Sequence, residues 1–573
     1  MKDSRNPADF LNAENIDILK ASRLFDLDDI RPPFFQCRSR ILMVTDGSLS
    51  FSDSKSAQFG LGTFVKIVLG MNSPLQAQVT LAHIGSRNML PGDSRIHRRI
   101  TEFRFDNSDH FEPDMYDTVF MFGFSTSYSG RGPSPTGTTL NNTELTKLTT
   151  YMNGGGGLFA TGDHGALGRA MNSAVPRVAR MRLWDNTSSD NDDDEVSMTG
   201  ERRNDTNRRG DPGSQFNDQS DDIPQTVHPR IYHKNSPIFK YSFPHPLLCG
   251  PNGAIRVMPD HPHEGECVEP ADTNDTIDFG SPLGPEFPPA TAAGARPLPQ
   301  VISTNTVPGG NVAESGGSFK DPTIPHSFGG ICGYDGHLAG VGRVVTDATW
   351  HHFVNVNLIG TPTVSAGIKS DGFLSTPQGQ VHFEEIKTYY RNLVVWLTRP
   401  AIIRCINRGW VFEIVRNSRV IEAVVSVSNV RLEQVSVRTL LFIGQHARDV
   451  VGKFAGQCQS RRLQQWLVDL LPKAPEFEVL KREFDPWAPQ PLPEEEERPD
   501  RNLGMVELSP IFDIALGAAL VEANQYFDEA GEKLDQKKFE KVLASGFHEG
   551  ADRAISALRE SFYTVEQALV GKK

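Results

Sequence analysis

A chain of 573 residues with 38% hydrophobic and 23% charged residues lies in the ordinary globular range and is long enough for two to four domains. Its formal net charge of −13 sets it against a general role on nucleic acid or on an anionic membrane surface, because polyanions are repelled on average. No run approaches the ~20 apolar residues that cross a bilayer, and the opening Met1–Pro7 lacks the apolar core of a secretory leader.

Ala8 to Phe25 carries Phe10, Leu11, Ile16, Leu19 and Leu24 at helical spacing before Arg31-Pro32-Pro33, so residues 1–37 read as a lead-in helix. Arg40-Ile41-Leu42-Met43-Val44-Thr45 is a continuous apolar run closed by Asp46-Gly47, the pattern of a parallel strand buried on both faces. A helix is expected from about Lys55 to Leu69, a second strand at Gln78 to Ile84 and a third at Tyr116 to Gly123. Leu140 to Met152 reads as a helix capped by Asn142 or Thr143.

Four glycines, Gly154 to Gly157, then lead into Leu158-Phe159-Ala160-Thr161 and the turn Gly162-Asp163-His164-Gly165. A strand, a sharp turn and a helix are expected there. Such a turn places Asp163 and His164 at the carboxyl end of a strand, where open α/β sheets bind ligands, and a helix N-terminus adds N–H donors. A plain Gly-rich turn with Asp163 as helix cap is the competing reading. The alternation of apolar strands with helices predicts a flavodoxin-like, doubly wound parallel α/β sheet.

From Trp184 to about Gln225 the chain is polar and includes the acidic run Asp190 to Glu195, which suits a surface loop or a lid. Arg177, Arg180 and Arg182 precede it, either as an anion site or as the basic end of a helix. Gly253 to Met258 reads as a short strand that stops at Pro259 and delivers Asp260, His261, His263 and Glu264. Alternate residues share a face, so His261 and His263 could hold a divalent metal with Asp260 as oxygen donor. The third ligand would come from His164 or His351, since two residues of one loop cannot complete a tetrahedral shell. An exposed polar loop stiffened by Pro259 and Pro262 is the alternative. Gly280 to about Gly330 is Pro/Gly/Ser-rich and reads as a long loop, so the whole insertion runs from about 184 to 330.

The sheet resumes at Gly342 to Phe353, where Val344-Val345-Thr346 leads to Trp350, His351 and His352. Neighbouring strand residues face opposite ways, so at most one of the two histidines is expected in a shared cleft. Phe383, Ile386, Tyr390, Leu393 and Leu397 mark an amphipathic helix that closes the α/β domain, 38–400. Residues 401–573 read as mainly helical, with a short helix at Leu463 to Leu471 and an acidic Pro-rich linker at about 475–500. Beyond the linker, Leu508, Ile511, Phe512, Ala515, Ala519 and Ala523 form one helix face, and Phe539 to Leu569 continues helically. This tail suits packing or a homo-oligomer. The six cysteines (Cys37, Cys249, Cys267, Cys332, Cys405, Cys458) have no C-x-x-C spacing and read as reduced thiols of a cytoplasmic protein.

The elbow Gly157-Leu158-Phe159-Ala160-Thr161-Gly162-Asp163-His164-Gly165 and the late Gly342-Arg343-Val344-Val345-Thr346-Asp347-Ala348-Thr349-Trp350-His351-His352 resemble the class I glutamine amidotransferase-like superfamily. Within it the chain is most similar to the trehalose-utilisation (ThuA-like) branch, over roughly Arg40 to Arg399. The resemblance implies a polar small-molecule substrate such as a carbohydrate derivative. True amidotransferases carry a Cys at the elbow and a late His-Pro-Glu, where this chain has Asp163 and His351-His352-Phe353. With no thiolate nucleophile, glutamine amidotransferase activity is not expected, and with no Glu nothing at the late position is expected to orient an imidazole.

The expected function is therefore a hydrolase or lyase-type enzyme using Asp163, His164, His351 and His352 in acid–base or metal-assisted chemistry. A non-catalytic ligand sensor or assembly protein on the same fold is the alternative. No nucleotide cofactor and no nucleic-acid partner is indicated.

Overall fold

The computed structural model describes residues 37–124, 140–163, 168–184, 224–259, 265–270, 284–362, 371–454 and 509–570, with short breaks inside these ranges and a few further residues near 466–471. The lead-in helix, the 475–500 linker, the acidic run at Asp190 to Glu195, His164 and Asp260, His261 and His263 lie outside the described residues.

The strands of the main sheet are β1 (Arg38–Thr45), β2 (Gln76–His83), β3 (Arg98–Ile100), β4 (Thr118–Gly123), β5 (Gly157–Gly162), β6 (Gln225–Pro229), β7 (Val257–Met258), β8 (Gln300–Val307), β9 (His326–Tyr334) and β10 (Val344–Asp347). They form a ten-stranded sheet in the order β7-β6-β8-β9-β10-β5-β4-β1-β2-β3. Packed with it are α1 (Gly62–Leu69), α2 (Asn142–Asn153), α3 (Arg169–Asn172), α4 (Asn355–Ile359) and α5 (Pro377–Leu397).

The central strands carry unbroken apolar runs, such as Ile41–Val44 of β1 and Val119–Phe122 of β4, because both faces are covered. Ile41 and Met43 share a core with Phe64 and Val65 of α1 and Ile386 and Leu393 of α5. Leu42 and Val44 enter a second core with Leu148, Tyr151 and Met152 of α2 and Met171 of α3. Ile41 pairs with Val79, Leu42 with Val119, Val119 with Leu158 and Leu158 with Val344, all in parallel. Leaving out the three-residue β3, the parallel half has the flavodoxin-like order, and its direction of winding reverses between β1 and β4.

Three expectations are corrected. Gly280 to Gly330 is not one long loop: β8 and the first half of β9 come from it, and with β6 and β7 they extend the sheet in antiparallel pairing. Val301, Ile302, Thr304, Thr306 and Val307 supply β-branched residues, and Gly330 belongs in β9 because a Cβ there would lie 2.2 Å from Asn305 Oδ1. Helix α1 starts at Gly62 rather than Lys55, because Asn355 pins the preceding loop: its Nδ2 donates to Ser52 O (2.8 Å) and its Oδ1 accepts from Thr63 Oγ1 (2.7 Å). Helix α2 is capped by Asn141, whose side chain accepts from Glu144 N (2.9 Å) while Glu144 Oε2 accepts from Asn141 N (3.1 Å).

Beyond the sheet come α6 (Pro400–Arg416), α7 (Ser418–Val425), α8 (Val437–Phe454), α9 (Ser509–Ala530) and α10 (Gln536–Val570). Ile406 packs into the sheet's core, whereas Val411, Ile414 and Val415 pack into a helical core, so α6 carries the chain from one to the other. Residues of α9 from Ile511 to Val521 are buried without interruption, which makes α9 the central helix of this core. No described helix is long and apolar enough to cross a membrane.

The reading of all six cysteines as reduced is also corrected. Cys37 and Cys405 form a disulfide with Cα atoms 5.8 Å apart, Cys249 is disulfide-bonded as well, and Cys267 and Cys332 are free and buried. Two cysteines 368 residues apart leave no spacing signal in a sequence. Because the Cys37–Cys405 bond closes that long loop, Cys405→Ser is expected to destabilise the oxidised protein by about 2–4 kcal/mol. Chemical unfolding with and without reductant checks this; equal midpoints for variant and oxidised wild type would contradict it.

Candidate functional site

Strands β1, β5 and β10 each run out into a buried aspartate, Asp46, Asp163 and Asp347, at the carboxyl edge of the sheet. Asp46 has a structural role at the switch point, where its Oδ1 accepts from Phe124 N (2.5 Å) and holds together the chains leaving β1 and β4. Asp163, fully buried, follows β5 directly. The chain returns over the same edge at Gly168, which has φ +76° and would place a Cβ 2.9 Å from both Gly162 Cα and Gly123 O. Only glycine takes that path.

Strand β10 ends abruptly because Thr349 caps a 3₁₀ turn, Trp350–His352, by accepting from His351 N (2.9 Å). The turn sends the two histidines to different partners. His352 Nδ1 lies 2.6 Å from Asp347 Oδ1, and the other carboxylate oxygen accepts from Tyr389 O–H of α5 at 2.8 Å. Tyr390 O–H donates to the His352 carbonyl. All four residues are fully buried. An ionised carboxylate only accepts, so this contact selects the neutral-ring tautomer with its proton on Nδ1 and its lone pair on Nε2. That Nε2 is buried and has no hydrogen-bond partner among the described residues. Burial, with the Asp347 charge adding to it, raises the Tyr389 phenol well above its ordinary value, so it remains a donor.

The imidazole is therefore oriented after all, by a carboxylate five residues before it instead of the Glu sought after it. His351 is held separately: its Nδ1 is 2.8 Å from Asn357 Oδ1, and its ring stacks on Trp350 at 4.2 Å between centroids.

Asp163 and Asp347 occupy adjacent strands. Thr346 pairs with Ala160, and Thr161 Oγ1 donates to Asp347 O (3.1 Å), so Asp163 lies one strand across and two residues further along. In a pleated sheet that is about 4.8 Å sideways and about 6.6 Å lengthwise.

Arg182 joins these two ends. Only 1% exposed, it donates from Nη2 to Gly162 O (2.5 Å) and Ala348 O (2.7 Å), from Nη1 to Leu183 O (3.1 Å), and lies over the Trp184 ring at 4.3 Å. It sets a permanent positive charge at the ends of β5 and β10. The other two arginines of the basic cluster go elsewhere: Arg177 Nε donates to Glu286 O (2.6 Å), and Arg180 Nη1 pairs with Glu286 Oε2 (3.5 Å). Arg177 and Arg182 thus tie strands and loops together, and Arg180 is the basic end of a short 3₁₀ helix, Val178–Arg180.

Gly265 N donates to Ala348 O (3.0 Å), so the residue following the Asp260–Glu264 segment is anchored at the end of β10. Among the described residues no group of three or more His, Cys, Asp and Glu could hold a metal ion. Burial pushes the free Cys267 thiol up to about 12, which keeps it protonated at neutral pH and unsuited to nucleophilic attack.

Three contributors escaped the sequence reading: Asp347 and Tyr389 as supports of His352, and Arg182 as the clasp. Asp347 had a signal, since Val344-Val345-Thr346-Asp347 repeats the apolar-run-then-Asp pattern of Val44-Thr45-Asp46. Tyr389 had none that set it apart from its neighbour Tyr390. Comparison of the chain with protein-family models, curated proteins and solved structures finds no match.

Proposed function

We propose that the carboxyl edge between β5 and β10 is the active centre of a hydrolase or lyase-type enzyme acting on a polar small molecule. The observation that carries this reading is His352, held through Nδ1 by Asp347 with its buried Nε2 left as an acceptor. In this reading Nε2 takes a proton from a water or a substrate hydroxyl, and Asp347 steadies the imidazolium that results. The proton then returns from Nε2 to the leaving group. Asp163, on the neighbouring strand, is the second acid–base group, and His164 and His351 belong to the same proposal. The ThuA-like resemblance points to carbohydrate derivatives as the substrates to try first.

A metal-assisted variant assigns a divalent ion to His261, His263 and Asp260, and the anchoring of Gly265 at Ala348 is the observation in its favour. Metal analysis of the purified protein tests it, and a metal-free, fully active preparation rules it out. Disulfides such as Cys37–Cys405 persist in oxidising compartments, so the reduced-thiol argument for a cytoplasmic location does not hold.

The test is turnover of a panel of sugar esters, glycosides and sugar acids by wild type and His352→Gln. Loss of a general base lowers kcat/KM about 100- to 10,000-fold. His352→Gln turning over at the wild-type rate would overturn the proposal. Binding of a panel member with no turnover in wild type would favour the ligand-sensor alternative.

A further inference from the structure

Helix α10 is 35 residues long and its neighbour α9 only 22, about 52 Å against about 33 Å at the α-helical rise. The two run antiparallel: Gly546 meets Ala519 and Gly550 meets Ala515 at close backbone approach, and Phe547 packs on Phe512. In that register Ser509, the first residue of α9, lies level with about Ser556, so the last ~14 residues of α10 run on past α9. Isolated helices of about that length are marginal in water.

The outer part of α10 also carries a heptad stripe. Ala551, Ile555, Leu558, Phe562, Val565 and Leu569 alternate steps of four and three. Ala551 is buried in the helical core, and Ile555 and Leu558 are partly buried against it. The same stripe then continues into the open, with Phe562 54%, Val565 55% and Leu569 72% exposed. A seam that packs helix against helix inside the bundle is thus presented outside it.

We infer that this stripe pairs with the same stripe of a second copy of the chain, in a two-fold antiparallel coiled coil. The flanking charges select the occupant and its direction. Arg559 and Glu566 both follow d positions of the stripe. When Phe562 packs against Val565 of the other copy, Arg559 comes beside that copy's Glu566, and the two-fold axis makes the pair twice. In a parallel pair Arg559 would instead flank Ala554, and Glu566 would flank Ser561, so neither charge is matched. Antiparallel self-association covers the exposed stripe residues Phe562, Val565 and Leu569 and matches both flanking charges with residues the chain already has.

The test is the oligomeric state of the full chain by light scattering and sedimentation. Wild type is expected to be a dimer. Phe562→Glu combined with Leu569→Glu should give a monomer with unchanged helix content by circular dichroism. Arg559→Glu should raise the dimer dissociation constant about tenfold, and adding Glu566→Arg should restore it, since two exposed pairs at about 0.2–1 kcal/mol each are lost and then regained. A monomeric wild type, with the stripe covered by another part of the same chain, would overturn the inference. So would a dimer that survives the double glutamate variant, or a charge swap that fails to rescue.

Discussion

Asp347→Asn is expected to lower turnover about 10,000-fold while leaving a folded protein, the scale seen when an imidazole is left in the wrong tautomer. The aspartate accepts from three buried donors, His352 Nδ1–H (2.6 Å) and the Thr349 backbone N–H (3.3 Å) on one oxygen and Tyr389 O–H (2.8 Å) on the other. An asparagine has one acceptor oxygen and presents N–H donors on its other side. If its oxygen serves Tyr389, its amide faces His352 Nδ1, which must then accept, and the ring proton moves to Nε2. The base is lost with hardly any change in shape. If the oxygen serves His352 instead, the phenol is left facing a donor, and the mismatch costs about 1–3 kcal/mol of stability. Rate on the substrate identified with wild type, thermal unfolding, and nitrogen NMR of the His352 ring distinguish the two. An Asp347→Asn enzyme at the wild-type rate would leave His352 without the role proposed for it. Tyr389→Phe removes only one donor and should have the smaller effect on rate.

Arg182→Met is expected to have the largest effect on stability. The substitution keeps an unbranched apolar stem but removes hydrogen bonds to Gly162 O, Ala348 O and Leu183 O. Bonds from a charged donor are worth about 1.5–3 kcal/mol each, and the carbonyls of Gly162 and Ala348 stand at the ends of two adjacent strands. The loss should reach about 4 kcal/mol or more, a large share of the about 5–15 kcal/mol that keeps a domain folded. Arg182→Lys should recover only part of it, because a compact ammonium lacks the planar fork. Urea unfolding checks this: the midpoint should fall with the slope unchanged. A midpoint equal to wild type would show that the strand ends hold without the clasp.

The elements on either side of this site were legible to different degrees. Ile41-Leu42-Met43-Val44 and Leu158-Phe159-Ala160 could be read as buried parallel strands because burial on both faces leaves no polar alternation. Ile511, Phe512, Ala515 and Ala519 could be read as a helix face because helical period is a local property. β8 was hidden: Gln300 to Val307 mixes Ser, Thr, Gln and Asn with its aliphatic residues, and its glycine-bearing partner β9 sits in a stretch whose composition suggests turns. Candidate residues divide the same way. Asp163 and His352 stand at ends of apolar runs, where the chain itself marks the carboxyl edge, but their supports come from elsewhere.

By itself the sequence determined the parallel strands β1, β2, β4, β5 and β10, the helices α2 and α5 between and after them, and the helical character of the tail, since periodicity and burial pattern act over a few residues. Tertiary structure alone decided that Tyr389, 42 positions from Asp347, serves the same carboxylate as His352, and that Arg182, 166 positions from Ala348, clasps β10 to β5. It also decided that Cys37 meets Cys405 across 368 residues. The physical reason is that a hydrogen bond or a disulfide depends on distance in space, and residues far apart in the chain become neighbours only when the sheet sets its strands side by side.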